Sequence, residues 1–226
     1  MIQDEIAQSL ENESIEKTLS IIELIKSGGL AGQLIIALLT GLLVVALYIY
    51  FERLFTIKAA SKVDPNFMNQ IKDHVVNGKI EAAKALCANV NSPVSRLIHK
   101  GISRIGRPLA DINSAIENAG KLEVYSLEKN VSILATISGA APMIGFLGTV
   151  IGMILSIFEI ANSGGQIDIK LLADGLYTAM TTTVAGLVVG IISYISYNHI
   201  VGRTNKVVYQ MEANSVEFLD LLNEPI

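Results

Sequence analysis

Hydroxyl side chains collect in one apolar stretch, LYTAMTTTVAGL at residues 176–187. It carries four threonines and no charged residue: Thr178, Thr181, Thr182 and Thr183. A polar group buried away from water needs a hydrogen-bond partner. Two interpretations follow, and the sequence leaves both open. The hydroxyls either bond to backbone carbonyls as packing contacts, or they line a weakly polar, uncharged path.

An earlier apolar stretch holds a second set of hydroxyls. Thr149 and Ser156 are seven residues apart and share a helical face with Gly145 and Gly152. At 1.5 Å per residue, Thr149 lies roughly 16 Å from the outer end of its helix, and Thr183 roughly 13–18 Å from the outer end of its own. We therefore expect both hydroxyls near the middle of a bilayer. Thr182 repeats Thr178 at i+4 and gives a second hydroxylated line.

Glycines accompany these hydroxyls at four-residue spacing. Gly148-x-x-x-Gly152 and Gly186-x-x-x-Gly190 resemble nucleotide-binding loops only superficially. Inside apolar helices, this spacing lets two backbones approach closely. Together with Gly145, these glycines are predicted to lie at helix contacts.

Few other residues offer chemistry. The three histidines lack companion ligands and are interpreted as solvated or interfacial: His74, His99 and His199. Cys87 is the only cysteine, which excludes an intrachain disulfide or a multi-cysteine metal site and favours a small core residue. We predict no catalytic residue, metal, cofactor or nucleic-acid partner. Glu159 and Asp174 are expected at the outer mouth, where they either gather cations or are simply solvated.

Composition indicates the elements that position these residues. The chain has 226 residues, of which 51% are hydrophobic and 17% charged. Soluble domains carry about 25% charged residues, so the composition favours a membrane protein. The predicted fold is all-α and polytopic, with three transmembrane helices at 30–51, 131–161 and 171–201.

The basic residues predict the orientation. The connection 52–130 holds 12 of the 17 Lys and Arg residues, which places it in the cytoplasm. The N-terminal amphipathic segment 1–29 and the loop 162–170 are then periplasmic, and the tail 202–226 is cytoplasmic. We expect no cleavable signal peptide, because the N-terminal segment is acidic and no apolar run starts before Leu30.

The cytoplasmic part is predicted to be helical, with long helices that extend into it from the membrane. Asp64 is a predicted N-cap with Pro65 at the first helical position, and Ser92 with Pro93 repeats this arrangement. Pro108 should open the next helix. From there the chain shows no stop signal before the second span, apart from an isolated glycine, so we expect one uninterrupted helix into the membrane.

The segment after the third span carries a further apolar stripe: Val208, Met211, Ser215, Phe218, Leu219 and Leu222. Its spacing predicts that the last helix also projects far into the cytoplasm.

Two stretches carry a resemblance to a known family. FLGTVIGMI and LADGLYTAMTTTVAGLVVG, with the acidic-flanked loop between them, resemble the MotA/TolQ/ExbB proton-channel family, and within it the ExbB/TolQ type. The resemblance implies a homo-pentamer in the bacterial inner membrane, whose second and third spans line a pore. It also implies a dimer of an ExbD- or TolR-like single-span protein in that pore, carrying a protonatable aspartate. A TonB-like protein would relay the energy to the outer membrane.

The resemblance also assigns roles to residues. Thr149 and Thr183 resemble the family's pore-facing threonine pair, and Thr178, Thr182 and Ser156 are expected along the same proton pathway. Many enterobacterial relatives carry a glutamate where Thr178 stands, so a carboxylate relay on this chain is not implied. The middle of these spans lacks Asp, Glu and His, and the chain alone is therefore an implausible proton relay.

The predicted function is that of a non-enzymatic, ring-forming subunit that energises TonB-dependent outer-membrane transport. Three alternatives stay open: a TolQ-like envelope-maintenance subunit, a gliding or flagellar stator subunit, and a membrane scaffold that transports nothing.

Overall fold

The structure is a computed structural model that describes residues 30–62, 64–162 and 169–223. Seven helices and no strand form this described part: α1 Leu30–Ala60, α2 Phe67–Val76, α3 Ile80–Asn89, α4 Pro93–Ile102, α5 Leu109–Leu127, α6 Val131–Asn162 and α7 Ile169–Asn223. The all-α prediction is confirmed. The whole predicted N-terminal segment 1–29 lies outside the described residues, and so does most of the predicted outer loop, at 163–168.

Three of these helices are long and apolar enough to cross a membrane. The candidate spans among the described residues are Ala31–Ala60, Val131–Asn162 and Leu172–Asn223. About 20 residues cross the hydrocarbon core, so each helix exceeds the length that a single crossing needs. The prediction of three transmembrane helices is confirmed by length and composition.

The chain divides into two compact units. The first unit contains the described residues up to Leu42 together with Ala140–Gly190, and the second contains Leu43–Gly139 and the described residues from Ile191 onward. The first unit is held by close contacts between α6 and α7, described below. The second unit has an apolar core to which all seven helices contribute side chains. Helix α3 contributes the buried Ala83 and Cys87 and packs the partly buried Ile80 and Leu86 against it.

The far end of α7 is built into the core of the second unit. Phe218 is fully buried, and a Cβ placed on Gly101 of α4 would lie 2.5 Å from its ring. Met211 and Val207 on the same face are also buried. These contacts explain why α7 continues to Asn223, as the apolar stripe predicts.

Two of the predicted helix starts have different outcomes. Ser92 caps α4: its Oγ accepts a hydrogen bond from the Ser95 amide at 3.1 Å, and Pro93 takes the first helical position. Asp64 instead precedes its helix. Its carboxylate accepts from the Asn66 amide at 2.8 Å and its carbonyl accepts from the Phe67 amide at 2.9 Å. This turn delays α2 until Phe67, so the predicted start is wrong by two residues.

The prediction of one uninterrupted helix from Pro108 into the second span is also wrong. Helix α5 ends at Leu127, and α6 begins at Val131 after a short turn in which Asn130 has φ +62°. Left-handed backbone costs an L-residue roughly 1–2 kcal/mol, and asparagine adopts it more readily than most residues. Asn130 therefore interrupts the single long helix that the apolar pattern predicts.

A buried arginine stabilises this break. Arg53 of α1 is 5% exposed, and its guanidinium donates to the Ser126 carbonyl at 3.0 Å, while Nε donates to Glu52 at 3.0 Å. The last carbonyls of a helix lack intrahelical partners and carry partial negative charge. Arg53 satisfies one of them at the end of α5.

Candidate functional site

Two threonines face each other across α6 and α7. The Thr149 hydroxyl donates to the Ala179 carbonyl at 2.9 Å, and the Thr183 hydroxyl donates to the Gly145 carbonyl at 3.2 Å. The two hydroxyl oxygens also contact each other directly. The residues predicted at matched depth are therefore direct neighbours, joined by hydrogen bonds between two helices.

The pair has a reciprocal geometry. Thr149 reaches the carbonyl four residues before Thr183, and Thr183 reaches the carbonyl four residues before Thr149. Helices α6 and α7 are antiparallel, and each threonine hydroxyl donates to the carbonyl that lies one helical turn before the other threonine. Both side chains are half-buried, so part of the pair faces out of the helix contact.

Glycines allow α6 and α7 to come this close. A Cβ on Gly145 would lie 2.7 Å from the Thr182 carbonyl oxygen, and one on Gly148 would lie 2.5 Å from Thr182 Oγ1. A Cβ on Gly186 would lie 2.6 Å from the Ala141 carbonyl oxygen. We call this contact the glycine seam: Gly145, Gly148, Gly152, Gly175 and Gly186.

The glycine seam continues toward the C-terminal end of α6 and the N-terminal end of α7. A Cβ on Gly152 would lie 3.2 Å from Ala179, and one on Gly175 would collide with Ser156. Ser156 is buried, and its hydroxyl donates to the Gly152 carbonyl at 2.9 Å. Gly190 is buried as well.

The other three threonines of the stretch 176–187 bond within their own helix, α7. Thr178 donates to the Asp174 carbonyl at 2.9 Å, Thr181 to the Tyr177 carbonyl at 2.9 Å and Thr182 to the Ala179 carbonyl at 2.8 Å. Thr182 has no exposed surface in the chain. Thr178 packs against α1, because a Cβ on Gly32 would lie 2.6 Å from its methyl group.

The two acidic residues lie toward the same ends of the helices. Glu159 is in the last turn of α6, Asp174 is near the start of α7, and both are exposed. Neither has a hydrogen-bonded contact with the threonine pair.

The second unit holds a polar cluster that sequence reasoning missed. The hydroxyl of Tyr50 lies 2.9 Å from His199 Nδ1, and Arg203 Nε donates to His199 Nε2 at 3.0 Å. Because the guanidinium can only donate, Nε2 must accept, which leaves the imidazole proton on Nδ1 facing Tyr50. The i, i+4 spacing of His199 and Arg203 is visible in the sequence. Tyr50 is separated from His199 by 149 residues, so the sequence does not indicate their contact.

The remaining candidate groups of the second unit have structural environments. Cys87 is buried, and burial raises the pKa of its thiol to about 11, so the thiol is neutral at pH 7. Arg96 pairs with Glu123 through two 2.6 Å hydrogen bonds, which raise the pKa of the guanidinium. Within the described ranges, no group of three or more His, Cys, Asp or Glu side chains could hold a metal ion.

Comparison with known proteins assigns the family. The family model for the MotA/TolQ/ExbB proton channel family matches residues 89–213, which include the whole glycine seam and the threonine pair. The chain belongs to this family.

Individual relatives carry the names ExbB and TolQ. The chain is 27% identical over 194 residues to a putative biopolymer transport protein ExbB homolog of Methanothermobacter thermautotrophicus, covering 85% of this chain and 67% of the relative. It is 38% identical over 87 residues to the biopolymer transport protein ExbB of Aquifex aeolicus, covering 38% of this chain and 58% of the relative. The Tol-Pal system protein TolQ of Pseudomonas aeruginosa is 23% identical over 218 residues, covering 92% and 94%. The chain thus spans between 58% and 67% of the length of the two ExbB-named relatives.

Proposed function

We propose that this chain is the ring-forming subunit of an inner-membrane motor driven by the proton motive force. In this proposal five copies surround a dimer of an ExbD-like single-span protein, and a TonB-like protein passes the energy to outer-membrane transport. Family membership and the ExbB-named relatives support this assignment. The role is mechanical and requires no catalytic residue on this chain.

The threonine pair is the observation that carries the proposal. Proton transfer within a membrane normally uses buried Asp, Glu or His. The stretch from Leu176 to Asn198 contains none of these, and α6 has only Glu159 in its last turn. The chain instead offers two half-buried hydroxyls at Thr149 and Thr183. A polar surface without an ionisable group suits a ring around a carboxyl that the partner supplies.

We also propose positions for the other residues of the predicted proton pathway and outer mouth. Thr178 lies one turn from the carbonyl of Asp174 and remains a candidate beside the pair, as does Ser156 near Gly175. Thr182 has no exposed side chain and serves the glycine seam. We place Glu159 and Asp174 at the outer mouth, because both are exposed at the helix ends near the outer loop.

Large apolar side chains on the outer surface of α6 and α7 support assembly. Phe146, Met180 and Val184 are 64%, 68% and 60% exposed in the single chain. In a membrane these side chains must contact either lipid or neighbouring copies. A ring formed by α6 and α7 would cover part of this surface and bring the threonine pair to its inner face.

We propose the orientation from the basic residues. The connection between α1 and α6 carries most of the lysines and arginines, which supports a cytoplasmic position for helices α2–α5 in this proposal. The outer loop and the N-terminus are then periplasmic, and the end of α7 is cytoplasmic.

A TolQ-like role is the second candidate. The TolQ relative of Pseudomonas aeruginosa aligns with nearly the whole of both chains, although at lower identity. In that case the same ring would maintain the cell envelope rather than energise uptake. The threonine pair and the lack of ionisable groups beside it are equally compatible with the ExbB-like and the TolQ-like role.

Native mass measurement tests the ring. We expect the purified chain, expressed with an ExbD-like single-span protein, to give a complex of five copies with two copies of that partner. A chain that stays monomeric with and without the partner would contradict the proposal. Loss of TonB-dependent uptake in a deletion strain, as opposed to loss of envelope integrity, separates the ExbB-like role from the TolQ-like role.

A further inference from the structure

The polar cluster of the second unit has an uncommitted hydrogen-bond donor at each end. Arg203 Nε donates to His199 Nε2 at 3.0 Å, so the proton on His199 Nδ1 lies in the 2.9 Å contact with the Tyr50 hydroxyl oxygen. Because Tyr50 accepts in this contact, its own O–H proton is left to donate elsewhere. The terminal amino groups of Arg203 have no hydrogen-bond partner among the described residues. The cluster therefore presents a phenol O–H and a guanidinium to a group that lies against it.

No neighbouring carboxylate neutralises the positive charge of this cluster. Lys206 is exposed about one turn after Arg203 on the same side of α7, and residues 175–211 contain no Asp or Glu. Glu52, the only acidic residue of α1, forms an ion pair with the arginine that follows it. Glu128 lines a small pocket on a different side of α7. The charge of the cluster thus favours an anion.

The cluster lies where the apolar stretches of α1 and α7 end. The first charged residue of α1 is Glu52, two residues after Tyr50, and α7 has no charged residue from 175 until Arg203. Tyrosine is enriched at this level of a membrane, because its ring is apolar and its hydroxyl polar. About one turn earlier on the same faces, Leu47 and Ile195 are exposed. The surface therefore changes from apolar to polar to cationic along the helices, as a phospholipid leaflet changes from acyl chain to phosphate to water.

We propose that Tyr50 and Arg203 bind the phosphate of an anionic phospholipid in the leaflet that borders the second unit. The phosphate oxygens accept from the Tyr50 O–H and from the free N–H groups of the guanidinium, and the acyl chains lie along Leu47 and Ile195. His199 is a positioning residue, because each of its ring nitrogens contacts one of the two phosphate-binding side chains. Lipid binding at this site requires neither the ring nor the partner protein of the proposed function.

The headgroup preference follows from the charges. A zwitterionic headgroup would bring an ammonium beside Arg203 and Lys206, where no carboxylate receives it. A phospholipid with a net negative charge avoids this repulsion and gains from both basic residues. The site should therefore distinguish phosphatidylglycerol from phosphatidylethanolamine when their acyl chains are identical.

Native mass spectrometry of the full-length chain in detergent, after removal of copurified lipid, tests the proposal with these two lipids as probes. We expect the wild-type chain to bind phosphatidylglycerol more tightly than phosphatidylethanolamine. Arg203→Gln should weaken the binding of phosphatidylglycerol by about fivefold or more, the contribution of one basic residue near the membrane surface. Tyr50→Phe should weaken it roughly threefold to tenfold, the equivalent of one net hydrogen bond.

Matched variants separate the site from general effects. Tyr50→Phe keeps the ring and its edge-to-face contact with Phe51, so the fold should be retained. Tyr48→Phe removes the hydroxyl of an exposed tyrosine two residues earlier, and Lys129→Gln removes an exposed positive charge that acts on Glu52 near the same boundary. Both controls should bind phosphatidylglycerol with wild-type affinity.

Three results would overturn the proposal. Equal affinities of the wild-type chain for the two lipids would contradict the selection of an anionic headgroup. Wild-type affinity in both Tyr50→Phe and Arg203→Gln, or an equal loss in Lys129→Gln, would show that general charge attraction binds the lipid. Release of bound phosphatidylglycerol by inorganic phosphate, at constant ionic strength, would show a site for a soluble anion instead of a lipid.

Discussion

Neighbouring threonines take different roles because a helix turns about 100° per residue. Thr182 points into the glycine seam against Gly148 and is fully buried, whereas Thr183 bonds across to α6 and keeps an open side. Sequence reasoning placed Thr149 and Thr183 at equal depth but could not show their contact. Which face of an all-apolar helix meets which neighbour depends on tertiary packing rather than on periodicity.

Gly148 provides a prediction at this scale. We expect Gly148→Ala to destabilise the protein by about 1–3 kcal/mol, because the new methyl group would lie 2.5 Å from Thr182 Oγ1 in a contact without free space. Gly41→Ala is the matched control, since its Cβ position has no atom within 4 Å in the chain. Thermal unfolding in one detergent measures both. Equal melting temperatures for the two variants would contradict the close approach of α6 and α7.

Among the helices, the long elements were predictable and the break was not. Apolar length alone identifies the three spans, and the stripe through Met211 and Phe218 identifies the extension of α7. The turn before α6 has no Gly or Pro signal. It depends on one asparagine in left-handed conformation and on Arg53, which is distant in sequence and donates to the Ser126 carbonyl. Local pattern reasoning does not include such a contact.

Asn130 gives the prediction for this element. Asn130→Gly should be tolerated, because glycine adopts positive φ without a steric penalty. Asn130→Val should destabilise the protein by about 1–2 kcal/mol, because a β-branched side chain strongly disfavours this backbone. Thermal unfolding of the two variants provides the comparison. A valine variant as stable as the glycine variant would contradict the left-handed turn at residue 130 between α5 and α6.

For the whole molecule, the charge distribution predicts which surface faces each side of the membrane. Asn162 ends α6 and Lys100 lies on α4, and both are exposed, so the membrane alone should decide whether a reagent reaches them. After Cys87 is replaced, we expect Asn162→Cys to react with an impermeant thiol reagent added outside spheroplasts. Lys100→Cys should react only after lysis. The reverse pattern would overturn the orientation.

The central claim is that Thr149 and Thr183 serve a partner's protonatable group in a ring that has none of its own. Its most direct test is uptake that depends on the proton motive force, in cells making each variant at wild-type level, with the oligomer checked in parallel. Valine matches the shape of threonine but removes the hydroxyl. A hydrogen bond lost between membrane helices averages only about 0.6 kcal/mol, so a purely packing role predicts intact uptake. We predict that Thr149→Val and Thr183→Val abolish uptake with the oligomer intact, and that Thr→Ser at either position preserves it. Active valine variants at both positions would contradict the account.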